Sequence, residues 1–444
     1  MAHRLRATSL PVLLLAVVSI VSFAARVGWL GEPCRSPCRT AADHLLIFDE
    51  AYYVNAARVI AAVPPPAGEH YVGTPPGDDP NAEHPQLAKL EIAGAIELFG
   101  DGPFAWRIGS IGLGSLAILG MFALARAAGA GDWLALGAAA LMAGDSLLLV
   151  HGRIGTLDIY ALSAMIWGVV LYLRGRPWIA GAVLGIGAAC KLVAPYAVLV
   201  LLVFELLREA GGGGRGFAAW RRTGAGVGAR VGSAAAAGVA TFFALLAVMD
   251  RLAPPYDPVV GRPVAGGVLH HLAHMISYAS GQTSPHGPTG IASYPWEWLV
   301  DYKPIVYLNI NPSRPSPGLE HVHPAALFLG MISPPLLLLG LPALALVTAA
   351  IAHRPRRLAS LLGGDPPRPS TFRSGEAPFL GLAWVLGTLL PFAVLSAFWQ
   401  RTSYLYYMVI VMPGIYLVAA HLALRLRRRR RILGAWAASM LIAA

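Results

Sequence analysis

Long apolar runs alternate with short polar stretches along nearly the whole chain. Runs of the length needed to cross a bilayer, about 17–25 residues, occupy 8–30, 104–128, 133–151, 157–173, 230–249, 324–352, 378–398 and 403–424. Between 177 and 207 a longer apolar stretch is broken by Lys191 and Pro195, which predicts two helices meeting at a turn near the outer surface. From a cytoplasmic N-terminus, this threading places 31–103 and 250–323 outside, with most of the Asp and Glu. It places the basic clusters inside, where Lys and Arg accumulate: Arg4 and Arg6, Arg174 and Arg176, Arg208 to Arg230, Arg354 to Arg373, and Arg425 to Arg431. A single helix across 177–207 would move the last cluster outside, so the charge rule selects two helices. The apolar end, Ile432 to Ala444, is too short to span, and the chain reads as ending within a last helix.

The first outer loop has its own pattern. Ala51 to Ala62 and Gln86 to Phe99 carry apolar residues at helical spacing with few charges, which suits short helices lying in the membrane interface. The Pro/Gly/Asp stretch Pro64 to Pro80 between them is a loop placed to close over a site. The expectation is one domain over 1–444, an all-α polytopic membrane bundle of about 10–11 spanning helices. No internal repeat and no soluble domain stands out.

Composition agrees. Of 444 residues 56% are hydrophobic and 13% charged, and the mean hydropathy is +0.59; soluble domains are about 25% charged. The net charge of +11 does not indicate nucleic acid, because its cations are the inside clusters and lack aromatic interleaving. The N-terminal run resembles a signal peptide but is long enough to span, so it reads as an uncleaved first helix. Cys34 and Cys38 share the first outer loop and either pair or stay free, while Cys190 reads as a small packing residue. Gly211 to Gly214 is a linker without the Lys-Ser/Thr of a phosphate loop.

Candidate chemistry gathers on the outer side. Asp49 and Glu50 open the first interfacial helix, as helix caps or with one of them a general base toward a hydroxyl. His84-Pro85 opens the second, and Lys89 one turn on is either a snorkelling lysine or a point charge for a phosphate. Arg107 beside Trp106 carries the same ambiguity. Asp145, His151, Arg153 and Asp158 surround one short turn. Asp145 lies in apolar sequence, where an ionisable group marks a functional site by default; pairing of Asp145 or Asp158 with Arg153 is the structural alternative. Lys191 is the second costly charge and needs an anion, a carboxylate or a substrate phosphate. Arg401 completes the outward cations. In the second outer loop His270 and His274 share a helical face, but no third zinc ligand is specified by spacing, and no metal residue is assigned. The segment 293–307, with Trp296, is an interfacial aromatic belt or a sugar or peptide surface.

In order, FDEAYY (48–53), HPQLAK (84–89), FAWRIGS (104–110), RIGTLD (153–158), SYPWEWLVDYKP (293–304) and RTSYLYY (401–407) resemble the protein O-mannosyltransferases, a family of the GT-C class of membrane glycosyltransferases. The resemblance spans nearly the whole chain. It implies a GT-C-like bundle, a polyprenyl-phosphate mannose donor and Ser/Thr hydroxyl acceptors on proteins crossing the membrane, with inversion at the anomeric carbon. By motif Asp49 would be the base and Glu50 its support. Lys89, Arg107, Arg153, Lys191 and Arg401 are the cations for the donor phosphate, and His84, Asp145, Asp158 and Trp296 further site residues. Gln86 and Ala88 stand where the family usually has Pro and Gly. The outer loop 250–323 holds no lectin-like insertion, which points to a prokaryotic-type member. Related aminoarabinose transferases share the acidic loop, so transfer of another lipid-linked sugar to a lipid or glycan is the alternative. The expected setting is the cell membrane with the site extracytoplasmic. Partners are the bilayer, the lipid-linked sugar, an acceptor protein and the secretion machinery, with no cofactor firmly implied and a divalent metal left open. A transporter would call for inverted repeats and paired broken helices, which the sequence lacks.

Overall fold

The computed structural model describes residues 10–211, 217–310, 318–319, 327–353 and 374–443. The expectations for Arg4 and Arg6, for the glycine linker beyond Gly211 and for Arg354 to Arg373 lie outside them.

Helices dominate. The first, α1 (Leu10–Val27), is followed by two short loop helices, α2 (Glu50–Ile60) and α3 (Leu87–Phe99). Then come α4 (Pro103–Ala127), α5 (Asp132–Ala143), α6 (Ser146–His151), α7 (Asp158–Leu173), α8 (Pro177–Cys190), α9 (Tyr196–Gly211) and α10 (Phe217–Leu252). The second loop carries α11 (Val268–Gly281), and the bundle closes with α12 (Pro334–His353), α13 (Ala377–Trp399), α14 (Met412–Arg425) and α15 (Arg430–Ala443). Five segments, 10–27, 103–127, 226–252, 334–351 and 377–399, are long and apolar enough to cross a bilayer. This is an all-α polytopic membrane architecture.

Local chemistry sets the boundaries. Pro103 and Pro177 each start a helix, where the missing N–H is no loss. The break at 191–195 falls at Lys191 and Pro195 as expected, after which α8 packs on α7 and α10 while α9 packs on α13. The α8–α10 contact is close because it is built from small residues: a Cβ on Gly181 would lie 2.1 Å from the Ala234 carbonyl. Small-on-small seams of this kind let apolar helices associate without a hydrophobic driving force.

Three expected spans are corrected. The run 133–151 is split at Asp145, whose backbone is extended and whose carboxylate accepts the Leu147 N–H at 3.2 Å. The described part of the run 324–352 begins as a strand, not a helix. Here β4 (Leu327–Gly330) pairs antiparallel with β3 (Ile305–Asn309), with a bulge between Val306 and Leu308. The run 403–424 likewise begins as a 3₁₀ segment, Leu405–Ile410, before α14. A further small ribbon joins β1 (Tyr256–Asp257) to β2 (Arg262–Pro263).

The loop that carries α2 and α3 and the loop that carries α11 meet at one end of the bundle. The Asp79 N–H donates to the Pro254 carbonyl at 2.8 Å, and the Tyr256 N–H to the Asp79 carbonyl at 2.9 Å. Asp250 accepts from Gln86 Nε2 at 2.7 Å and pairs with His271 at the same distance. Cys34 and Cys38 form a disulfide and Cys190 is a buried free thiol.

Candidate active site

Where the loops meet, a cavity of about 480 Å³ opens. Asp49, Tyr52 and Tyr53 reach it from the start of α2, and Glu83 and His84 from the turn before α3. Lys191 enters from the α8–α9 break, and Arg401, Tyr404, Tyr406 and Tyr407 from the segment before α14.

Asp49 occupies the N-cap position of α2, yet its backbone is already helical and its side chain makes no cap bond. The capping role is therefore not realised, and the carboxylate faces the cavity instead. Phe48 just before it has φ 55°, a left-handed conformation costing a bulky residue on the order of 1–3 kcal/mol. Burial raises the Asp49 carboxyl to about 7, with Lys191 opposing and the Asp158 charge adding to the rise. A carboxyl held near neutrality suits proton transfer.

Glu50 behaves differently. It is fully buried and accepts from Arg107 Nε and Nη2, both at 2.8 Å, from the Ile47 N–H at 2.8 Å and from the Gly155 N–H at 2.7 Å. Arg107 also donates to the Leu30 and Glu32 carbonyls. This buried fork ties α2, α4 and the turn before α7 together.

Lys191 donates to Asp158 Oδ1 at 2.7 Å, with its ammonium 5.5 and 5.8 Å from the Tyr406 and Tyr407 ring centres. Asp158 Oδ2 has no hydrogen-bond partner among the described residues and lies 3.9 Å from His151 Nδ1. Arg401 donates to the Ala279 and Gln282 carbonyls, so the chain holds it from one side. His84 packs edge-on to Tyr53, and its imidazole is held well below its usual range by burial first and then by Lys191, Lys89 and Arg401.

Other expected site residues lie elsewhere, each for a visible reason. Lys89 is buried against Asp79 Oδ2 at 2.6 Å and the Asn81 and His84 carbonyls, so it fastens the loop before α3. Arg107 is consumed by Glu50. Arg153 donates to the Gly28 carbonyl and sits over Phe328, fixing the end of α1, and pairs with neither Asp145 nor Asp158, the latter being taken by Lys191. Asp145 caps α6 and accepts the Tyr416 hydroxyl at 2.5 Å. Trp296 is 48% exposed, stacked on Tyr294 outside the cavity lining. His270 bonds the Gly266 carbonyl, and it is His271 that is buried. Among the described residues only Cys34, Cys38 and His44 cluster as metal ligands would, and the two sulfurs are bonded to each other.

Sequence reasoning did not single out Glu83 or the tyrosines as site residues. Glu83 adjoins His84 and accepts from Asn81 Nδ2 at 2.7 Å; burial raises its carboxyl. The Tyr-Tyr pairs at 52–53 and 406–407 were the available signal.

Residues 83–212 match the family model described as dolichyl-phosphate-mannose-protein mannosyltransferase. The fold resembles that of the S. cerevisiae protein O-mannosyltransferase Pmt1–Pmt2 complex bound to the sugar donor. There the TM-score is 0.69 at 11% identity, covering 99% of this chain and 90% of that one. ArnT from Cupriavidus metallidurans bound to undecaprenyl phosphate gives 0.54 at 17% identity, over 97% of this chain and 63% of that one. The Archaeoglobus fulgidus oligosaccharyltransferase gives 0.50 at 14%, over 98% and 54%. No curated protein sequence matches the chain. The chain has the fold of the GT-C membrane glycosyltransferases. Residues 83–212, the segment that the family model matches, carry the sequence likeness to the protein mannosyltransferases.

Proposed function

We propose that the protein transfers a sugar, mannose by the family match, from a polyprenyl phosphate to Ser/Thr hydroxyls of proteins. The carrying observation is one cavity that presents an uncapped carboxylate, Asp49, together with two cations, Lys191 and Arg401. The similarity to a Pmt1–Pmt2 complex bound to sugar donor and to ArnT bound to undecaprenyl phosphate supports the donor class.

In this reading the lipid tail anchors the donor in the bilayer, so no nucleotide-binding fold is required. Asp49 accepts the proton of the attacking hydroxyl as its oxygen bonds to the anomeric carbon. On the opposite face the bond from that carbon to the phosphate oxygen breaks, and its electron pair leaves with the phosphate. Lys191 and Arg401 stabilise the growing charge in a site already arranged for it. One displacement inverts the anomeric centre. Asp158 holds the Lys191 ammonium in place, and the tyrosines supply flat walls for a sugar ring.

The test is purified protein in detergent with a Ser/Thr peptide and a panel of labelled polyprenyl-phosphate sugars. Transfer of mannose to the peptide supports the reading; transfer only to a lipid acceptor, or none from any donor, overturns it. The rate should also rise with pH through about 7, because Asp49 must lose its proton to act as base and its carboxyl is raised to about 7. A flat profile between pH 5 and 8 would argue against Asp49 as that base.

Lys191→Met should raise the donor KM by about ten- to a hundredfold, the worth of one charge-assisted hydrogen bond, with the acceptor KM little changed. The folded fraction is measured alongside, because Asp158 loses its partner. Equal donor KM values would leave Arg401 as the phosphate ligand. The cavity is further expected to face away from the cytoplasm. An impermeant thiol reagent on intact cells should label Val259→Cys but not Arg429→Cys, and the reverse pattern would refute this orientation.

A further inference from the structure

Tyr307 stands at the bulge in the β3–β4 pair: Val306 pairs with Leu329 and Leu308 with Phe328, leaving Tyr307 without a partner. Its ring keeps the alternation of the strand, on the same buried face as Ile305 with Val306 exposed between them, and is 7% exposed. The ring stacks on Phe48, with centres 4.1 Å apart and planes at 22°. Its hydroxyl shares a hydrogen bond of 2.9 Å with His151 Nε2 at the end of α6. Gly330 leaves the room for it, since a Cβ there would lie 2.5 Å from the ring.

Phe48 is the residue whose left-handed backbone delivers Asp49 to the cavity. Tyr307 covers one face of its ring, and Tyr406 meets it edge-on at 5.4 Å. On the other side of Asp49, Glu50 is fixed by Arg107. The cavity-facing carboxylate, within hydrogen-bond reach of Tyr53, is thus the middle of three residues whose neighbours are both held, one of them by a strand of the second outer loop.

We propose that Tyr307 is a positioning residue: by stacking on Phe48 and bonding His151 it holds the Asp49 carboxylate in its reactive place. This rests on the reading of Asp49 as the base. A misplacement of about 1 Å at a reacting group lowers turnover on the order of 10²-fold. The effect falls on turnover, because Tyr307 does not line the cavity.

Three variants separate the parts. Tyr307→Leu removes the stack and the hydroxyl, and should lower kcat on the order of 10²-fold with donor KM within about twofold. Tyr307→Phe keeps the stack and loses the hydrogen bond, so kcat should fall only about two- to tenfold. Gly330→Ala leaves Tyr307 in the chain but displaces its ring, and should reproduce the leucine phenotype. In Tyr307→Leu the pH–rate limb near 7 should also move, because the environment of Asp49 changes; a general loss of stability would not move it. Asp49→Asn is run in parallel. If Asp49→Asn is inactive while folded Tyr307→Leu and Gly330→Ala turn over normally, the positioning role is wrong and the base assignment survives. If Asp49→Asn itself turns over normally, the parent reading fails. Should Tyr307→Leu not fold, Gly330→Ala and Tyr307→Phe decide on the same kcat and KM readouts.

Discussion

Asp49→Asn yields a protein that expresses and folds as the parent does but transfers sugar about 10²–10⁴-fold more slowly, the usual contribution of a general base. Folding is spared because the Asp49 carboxylate makes no cap bond and asparagine is close to aspartate in size. A buried carboxyl raised to about 7 is also no large source of stability at neutral pH. Turnover suffers because a serine or threonine hydroxyl is a poor nucleophile until its proton has somewhere to go. The measurement is single-turnover transfer to a Ser/Thr peptide with saturating donor, beside a melting curve in detergent. Turnover within a few-fold of the parent would move the base to Glu83 or Asp158.

Arg107→Leu produces the opposite pattern. Glu50 would keep its two backbone donors but lose the bidentate guanidinium and remain as a buried, uncompensated carboxylate. Breaking such a pair by removing one partner costs about 3–5 kcal/mol. A sharp fall in thermal half-life in detergent is therefore expected, while the surviving folded fraction keeps the parent's donor KM. Replacing both partners, Arg107→Leu with Glu50→Leu, should recover much of the loss, because the desolvation of two charges disappears with their attraction. A stable Arg107→Leu protein with a raised donor KM would restore Arg107 to the phosphate site.

These contrasting outcomes for adjacent acids show where sequence reading stops. Asp49 and Glu50 are neighbours of similar chemistry, and nothing local says which turns inward. The choice is made by Arg107 and Gly155, which reach Glu50 from α4 and from the turn before α7. The apolar helices were legible because lipid leaves the backbone few alternatives to a helix. Where protein and not lipid surrounds the chain that constraint lapses, and residues 327–330 form a strand inside what reads as one apolar run. Asp145 was legible as exceptional but not as a cap, because an acid that ends a helix and one that serves a substrate look alike in apolar sequence. Lys89 and Arg153 sit at the right end of the bundle, yet loop carbonyls and Asp79 absorb their charge. Lys191 and Arg401 reach the cavity because each lies at a break between helices.

The fork at Glu50 also constrains when the protein can become active. Its partners lie 57 and 105 residues further along the chain, and contacts so remote in sequence form late because long loops must close first. A nascent chain that has emerged only as far as α3 has the acidic pair but nothing to sort one acid from the other. Until α4 and the turn before α7 have been inserted, Glu50 has no place to be buried and Asp49 no fixed direction. Competence is thereby coupled to completion of membrane insertion.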